Sequence, residues 1–492
     1  MTTETDSARR IRALGDLREF IKVADEMGDL EVIRGVDPNL ELGALYEMSL
    51  MHDFPPALLF ENIKGYDPSF RVLTNVRASR VLITSLGMDS VKALRKGNRR
   101  ERVTIPPVFV ESGPVFENVL TGDNEINALA FPAPRWHEGD GGNYIGTECI
   151  VIIKDPDSDW VNVGTYRAQV QDSKTISIFI EPGKHGDTLR RKYWEKGQPC
   201  PMILCVGQSP VMGGAGRTNT PPGISDFAVA GGRIGKPIEL VQGKITGLPI
   251  PADGELVFEG YMPPPDVESL PEGPFGEWPG YYASESRPEP VLKVKAIYHR
   301  NNPIVIGNPP EKPTYPGRQT NFTSAAAMWD ALEAAGVPEI KGVWKMFGGG
   351  NRFINVVAIK QLFAGHAKMA GLVAAGCLPG AYMNRMTIIV DDDIDITNTA
   401  EVMWALATRW DPKTASDIID GCWTGHIDPL LTHEKRESGD ITNSRIIMYA
   451  VRPFPWKDSF PKVNLIDPAY AEEVRLKWVD QLRFVKTMPQ HR

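Results

Sequence analysis

At 492 residues, 42% of them hydrophobic, the chain can bury large cores and has the length of roughly two or three ordinary domains. Its formal net charge is −8 and no long basic tract occurs, which argues against nucleic acid as a partner. Five cysteines without a CxxC pair argue against a disulfide framework or zinc knuckle; with a polar N-terminus and no apolar run of about 18 residues, they predict a cytoplasmic protein that does not cross a membrane.

In chain order, residues 11–27 read as an amphipathic helix, with Leu14, Leu17, Phe20, Ile21, Ala24 and Met27 on one side. Asp37-Pro38 reads as a cap followed by proline at the first helical position. A short strand is expected at 57–60 and a helix at 79–96. Residues 1–107 thus form an expected N-terminal α/β region. From 108 to 310 strand-like runs dominate, at 149–153, 160–169, 175–180, 202–206, 255–258 and 291–298, with Asp172-Ser173-Lys174 as a hairpin turn. Such closely spaced strands predict a barrel or curled sheet. The proline-rich segment 307–317 reads as a linker, and the expected division of the chain places the linker between domains at 311–322. Beyond it, helix at 323–335 (capped by Thr323), strand at 355–359, helix at 362–375, strand at 386–390 and helix at 400–409 alternate. That alternation predicts an α/β layered domain over 323–492, closing on a helix at 468–484. The fold class expected is therefore multi-domain α/β (α+β).

The hexapeptide Glu272-Gly273-Pro274-Phe275-Gly276-Glu277 carries most of the chemistry. Pro274 and Gly276 suit the second and fourth places of a type I turn, and such a bend can bring the two glutamates together. Two like charges in apolar surroundings raise one pKa, giving an acid able to donate a proton near neutral pH. Taken alone, the same hexapeptide also suits a surface turn with two solvated glutamates.

Two further features decide between these readings. The segment Asn162-Val163-Gly164-Thr165-Tyr166-Arg167 opens the hairpin, and His185 follows its second strand. In this order and strand context, the three features resemble the UbiD family of reversible, prenylated-flavin-dependent decarboxylases, over nearly the whole chain. The resemblance implies a split-barrel flavin domain, and a C-terminal domain that carries dimer contacts and closes over the active site. It implies decarboxylation of an aromatic or heteroaromatic acid through a covalent adduct with prenylated FMN. Glu277 would be the proton donor, with Glu272 and Arg167 as its ion-paired partners.

It further implies manganese (or magnesium) and potassium tying the cofactor phosphate to Asn162, His185 and Asp226. Asp226 is one methylene shorter than the family's usual glutamate. Gly164 and Thr165 would lie against the flavin. Lys184 and Arg385 are candidates for cofactor contact, Lys184 being equally readable as a solvated lysine. A separate flavin prenyltransferase must supply the cofactor, and a homodimer or larger homo-oligomer is expected. Trp278, Tyr281 and Tyr282 would offer flat walls to an aromatic substrate, with His426 or His433 at its edge. The alternatives are an acrylic-type acid as substrate, an FMN-dependent oxidoreductase on a split barrel, and a non-catalytic subunit of a larger carboxylase complex.

Overall fold

The computed structural model describes residues 6–77, 79–85, 104–218, 220–283, 285–315 and 323–482. A four-stranded sheet gathers the N-terminal strands Leu30–Arg34, Ala57–Glu61 and Arg71–Thr74, and takes its fourth strand, Ile304–Ile306, from far along the chain. The expected helix over 11–27 is two helices, Asp6–Ala13 and Leu17–Glu26. Asp16 breaks them apart by accepting the N–H groups of Arg18 and Glu19 at 2.8 and 3.0 Å, the usual act of an N-cap. The helix expected at Asp37-Pro38 begins later, at Glu41, because Leu40 takes φ +73°. Of the helix expected at 79–96, Arg80–Ser85 is described and the remainder lies outside the described residues.

The central domain is a ten-stranded sheet. Its main path runs Asn143–Gly146, Arg167–Asp172, Thr175–Phe179, Arg287–His299, Leu256–Met262, Cys200–Cys205, Ile150–Lys154, Val161–Gly164, with antiparallel neighbours throughout. Alternate residues feed two cores. Ile150 and Ile152 pack on one side, Val151 and Ile153 on the other, all fully buried. This is why these strands read as continuous apolar runs.

The run expected as one strand over 160–169 is two strands, Val161–Gly164 at one end of this path and Arg167–Asp172 second from the other. Only Thr165 and Tyr166 separate them, so the Cα atoms of Gly164 and Arg167 lie at most about 11 Å apart. The sheet must therefore curl until its ends nearly meet, and these two residues cross the split. Thr165 N–H donates to Gly216 O at 3.2 Å, and Cys149 Sγ donates to Tyr166 O at 2.9 Å, fixing the crossing.

The segment expected as a linker is anchored where it is described. Asn308 N–H donates to Thr147 Oγ1 at 2.9 Å, Tyr46 donates to Asn308 Oδ1 at 3.1 Å, and Glu311 is buried. The C-terminal sheet orders Ile340–Lys345, Ile354–Ile359, Met386–Asp391, Thr442–Ala450 and Ser416–Trp423. Helices Thr323–Ala334 and His366–Gly376 share a core on one face, and Thr399–Arg409 packs on the other, a three-layer α/β arrangement. The side chain of Thr323, expected as a cap, lies outside the described residues. The helix Pro468–Trp478 leaves Tyr470, Leu476 and Trp478 open to solvent.

Candidate active site

Arg167 starts the strand that leaves the split, and Glu272 ends the strand Ser269–Glu272. The guanidinium holds both Glu272 oxygens, Nε to Oε1 at 2.8 Å and Nη2 to Oε2 at 2.7 Å. Its Nη1 donates to Glu277 Oε1. Tyr144 donates to Glu272 Oε1 at 2.8 Å. Below the guanidinium lie the rings of Phe179, 4.4 Å away, and Phe275, 5.5 Å away. All three charged groups are buried.

The two glutamates differ in one respect. Glu272 is saturated, whereas the second oxygen of Glu277 takes no hydrogen bond among the described residues. Burial pushes the Glu277 carboxyl above its ordinary value, and Arg167 partly opposes this. The sequence-based cause therefore needs correction: desolvation leads, and the charge on Glu272 is a minor contributor. The turn is corrected too. Gly273 has φ +84° and the Gly273–Pro274 bond is cis, so it is not type I.

A second loop clamps this turn, and sequence reasoning missed it. Gly141 N–H donates to Pro274 O at 2.7 Å, and a Cβ on Gly141 would fall 1.9 Å from Gly273 O, so only glycine fits. Asp140 Oδ1 accepts from Gly276 N–H and from the Tyr282 hydroxyl, each at 3.4 Å. His137 joins Asp140 to the anchored strap, its Nε2 2.7 Å from Glu311 Oε1. Burial alone would discharge this imidazole, but the Asp140 and Glu311 carboxylates override it and push the pKa up to about 10. The dense run Trp136-His137-Glu138-Gly139-Asp140-Gly141-Gly142 was the available signal, since titratable groups among glycines mark a tight functional loop.

The split holds the expected metal residues. Asn162 is buried on the strand before it, and Asp226 opens the helix Asp226–Ile234, where its Oδ2 accepts Val163 N–H at 2.9 Å. His185 opens the helix His185–Glu195, its ring 5.1 Å from that of Trp160. Tyr166 links the elements: its hydroxyl accepts Gly186 N–H at 3.2 Å and lies close to Asn162. A Cβ on Gly164 would fall 2.5 Å from the Tyr166 ring, so that glycine makes room for the tyrosine.

Among the described residues no group of three His, Cys, Asp or Glu comes together to hold a metal. A site here would rest on one imidazole, one carboxylate and an amide. The donors fit that role. Among the described residues Asn162 Nδ2 and Thr165 Oγ1 are buried without a hydrogen-bond partner. Turning the amide over would present an oxygen acceptor instead. Burial holds the His185 pKa below its ordinary value, with Lys184 adding to it, so the ring is neutral and able to ligate. Burial raises Asp226 to about 6, the condition of a carboxylate that a cation would relieve.

The remaining candidates sit where the C-terminal domain meets this split. Lys184 is not a solvated lysine: its Nζ lies 5.1 Å from the Tyr382 ring, and burial lowers its pKa to about 8. Arg385 is held by Asp428 through two contacts of 2.7 and 2.8 Å. His426 Nδ1 lies 2.9 Å from Glu181 Oε1, across the domain junction. His433 is 79% exposed beside Glu437, which removes it from the site. Trp278 is half-buried on Phe353, whereas Tyr281 and Tyr282 are exposed and do not wall a pocket as expected.

Three stretches match known domains of 3-octaprenyl-4-hydroxybenzoate carboxy-lyase: its N-terminal domain over residues 21–100, its Rift-related domain over 108–313 and its C-terminal domain over 319–450. The chain belongs to the UbiD family. It is 32% identical to a phenolic acid decarboxylase of Bacillus subtilis (strain 168), covering 85% of this chain and 89% of that one. It is 33% identical to a pyrrole-2-carboxylic acid decarboxylase of Pseudomonas aeruginosa, covering 82% and 84%. The UbiD-class enzyme HmfF of Pelotomaculum thermopropionicum, solved with FMN, superposes with a TM-score of 0.80 at 27% identity, over 96% of this chain and 100% of that one. An evolved dimeric form of HmfF was solved with prenylated FMN, at a TM-score of 0.77 and 26% identity. This UbiD protein is accordingly a decarboxylase, a carboxy-lyase. Among its described residues no helix is long and apolar enough to cross a membrane.

Proposed function

We propose that this enzyme reversibly decarboxylates an aromatic or heteroaromatic acid, with prenylated FMN held along the barrel split and Glu277 as the proton donor. The observation that carries the reading is the asymmetric grip of Arg167, which occupies both oxygens of Glu272 and only one of Glu277. Breaking the bond to the carboxylate leaves an electron pair on carbon and releases CO2. Prenylated FMN, when bound, supplies the electron sink that no side chain offers. Asn162, His185 and Asp226 would hold a manganese or magnesium ion against its phosphate, with potassium nearby, and Gly164 and Thr165 would border its ring.

The residues of this chain do the rest. Glu277, whose pKa burial raises, delivers a proton from its unbonded oxygen to the carbon that lost CO2, and is recharged from solvent. In the carboxylating direction its carboxylate takes that proton back. Glu272 and Tyr144 keep Arg167 from turning away, and the loop through His137 and Asp140 holds the turn in place. Relatives that act on phenolic and pyrrole acids support a flat aromatic substrate. The exposed apolar residues of the helix Pro468–Trp478 suit contact with a second copy of the chain.

Protein made in a host lacking flavin prenyltransferase should be inactive, and co-expression of that enzyme should restore CO2 release. Mass spectrometry of the extracted flavin should then show the prenylated form. Full turnover with plain FMN would overturn the proposal.

A further inference from the structure

The turn that carries Glu277 is held from two sides. Before Glu277, the loop of the central domain fixes it: Gly141 N–H donates to Pro274 O, and Asp140 accepts from Gly276 N–H. After Glu277 the chain closes tightly on itself, Gly280 N–H donating to Glu277 O at 2.8 Å and Glu277 N–H to Tyr281 O at 3.0 Å. This second side leans on the C-terminal domain. The Trp278 ring lies 5.4 Å from that of Phe353, and a Cβ on Gly350 would fall 2.9 Å from the Trp278 ring. Ala283 packs with Met383 and Ile427, and its carbonyl accepts from Arg436 Nη1.

These contacts lead back to one residue. Asp428 is buried in the loop between the strand Ser416–Trp423 and the helix His433–Ser438. Its carboxylate accepts from Arg385 Nη2 at 2.7 and 2.8 Å, from Thr424 Oγ1 at 2.7 Å and from Leu430 N–H at 3.0 Å. One route runs on through Arg385, whose N–H donates to Phe353 O at 2.8 Å, and through the Phe353 ring to Trp278. A second runs through the Asp428 carbonyl, which accepts from Arg436 Nη2 at 2.9 Å, and so to Ala283. The first route reaches the residue after Glu277, and the second the residue two beyond Tyr281. His426, two residues before Asp428, grips the central domain at a third point: its N–H and Nδ1 lie 3.2 and 2.9 Å from Glu181 Oε1. Glu181 is two residues beyond Phe179, the cross-strand partner of Arg167 and one of the rings beneath its guanidinium.

A proton donor serves a carbon only when it is held in reach of it, and an error of about 1 Å can cost 100-fold in rate. Arg167 holds one oxygen of Glu277 but not its backbone. A turn pinned only before Glu277 would let the acid swing with the chain that follows. We propose that the loop around Asp428 is a clamp for the proton donor, in which Asp428, acting through Arg385 and Arg436, is a positioning residue that seats the C-terminal domain on the turn and sets the reach of Glu277. Arg385 is then a support of the acid and not a cofactor contact. This rests on the decarboxylase reading above, with Glu277 as the acid.

The test uses the full-length, prenylated-FMN-loaded enzyme with 4-hydroxybenzoate and pyrrole-2-carboxylate. Arg436→Met removes a half-buried side chain that bonds two carbonyls, so it breaks one arm of the clamp without emptying a core. Its kcat should fall about 10–100-fold with KM little changed, and exchange of the product proton in D2O should slow in the same proportion. Arg436→Lys should recover part of the loss, and Asp428→Asn, which weakens both arms, should lose more. Amide hydrogen exchange over residues 278–283 should quicken about 10-fold in Arg436→Met, the worth of one hydrogen bond to a charged group. FMN affinity, read by fluorescence quenching, should stay as in the wild type in all three variants. Faster amide exchange with normal kcat would show that the central domain holds the acid by itself, and overturns the positioning role. Unchanged amide exchange overturns the clamp, and that arm needs no turnover, so it stands apart from the fate of the decarboxylase reading. Weakened FMN binding in Asp428→Asn with unmoved amide exchange would return Arg385 to the cofactor and overturn the proposal. If the wild type turns over neither acid nor any other aromatic acid, the decarboxylase reading falls and takes the positioning role with it.

Discussion

Two halves of one cleft are built on opposite terms. Around Arg167 the strong partners are already present: Glu272, Glu277, Tyr144 and two aromatic rings form a network that leaves one oxygen of Glu277 without a hydrogen bond among the described residues. Around the barrel split, a few residues away, Asn162 and Thr165 hold buried polar atoms without a hydrogen-bond partner among the described residues, and the desolvation of Asp226 is only partly offset by its hydrogen bonds. The first half is preorganised by the chain alone. On the proposed function, the second would be completed by a cation and the cofactor phosphate it holds. An enzyme that borrows its electron sink must build its acid beforehand and leave room for its cofactor.

The sharpest way to break this contrast is at the open oxygen. Glu277→Gln keeps the shape and the contact to Arg167 but cannot deliver a proton. Turnover should fall about 10²–10⁴-fold with the fold intact. Near-normal CO2 release together with normal exchange of the product proton would mean another group is the acid.

Removing the hub should show how closed the first half is. Arg167→Met leaves Glu272 and Glu277 buried without their cation, at a cost of about 3–5 kcal/mol. The folded pKa of Glu277, already raised by burial, then loses the opposition of Arg167, so the loss should be full at neutral pH and shrink on acidification as that carboxylate protonates. Denaturant midpoints at pH 7 and pH 5 would read this. An equal deficit at both would speak against charge as the cause.

In the second half, His185→Ala should leave stability nearly unchanged and lower manganese affinity by at least about 10–100-fold, with cofactor occupancy falling alongside. Elemental analysis showing unchanged manganese would remove His185 from the site.

A smaller effect tests the clamp. The raised pKa of His137 means its contribution is fully present below its ordinary value of 6.5 and lost as pH climbs through about 10. His137→Gln should cost about 1.5–3 kcal/mol at pH 6 and much less near pH 10.5. Equal cost at both would show that the ring acts by packing alone. The smallest effect belongs to His433→Ala, which should alter neither turnover nor stability, given its exposure.

Much of this was legible in the residues. The strands of the barrel, the hairpin at Asp172-Ser173-Lys174, and the helix–strand alternation of the C-terminal half follow from periodicity and turn chemistry, which act over a few residues. The chemical trio Arg167, Glu272 and Glu277 was readable from motif and order. The errors fell where a tertiary contact outweighed a local preference. Leu40 takes a positive φ beside a bridge from Asn39 to Arg135, which delays a helix that Asp37-Pro38 would start. Tyr281 and Tyr282 look like pocket walls in sequence and stand exposed in the structure.

By itself, then, the sequence determined the supply of groups: a glutamate pair around a forced bend, an arginine at a strand start, and a histidine, an asparagine and an aspartate at element ends. Only the tertiary structure decided which of them meet. Tyr144 finds Glu272 across 128 residues, and Arg167 finds it across 105. His137 finds Glu311 across 174. No local rule reaches that far, because such pairs are set by the curl of a sheet whose ends two residues must join. The same curl turns Glu277 from an ordinary carboxylate into a buried acid, since a pKa belongs to the surroundings of a group and not to its place in the chain.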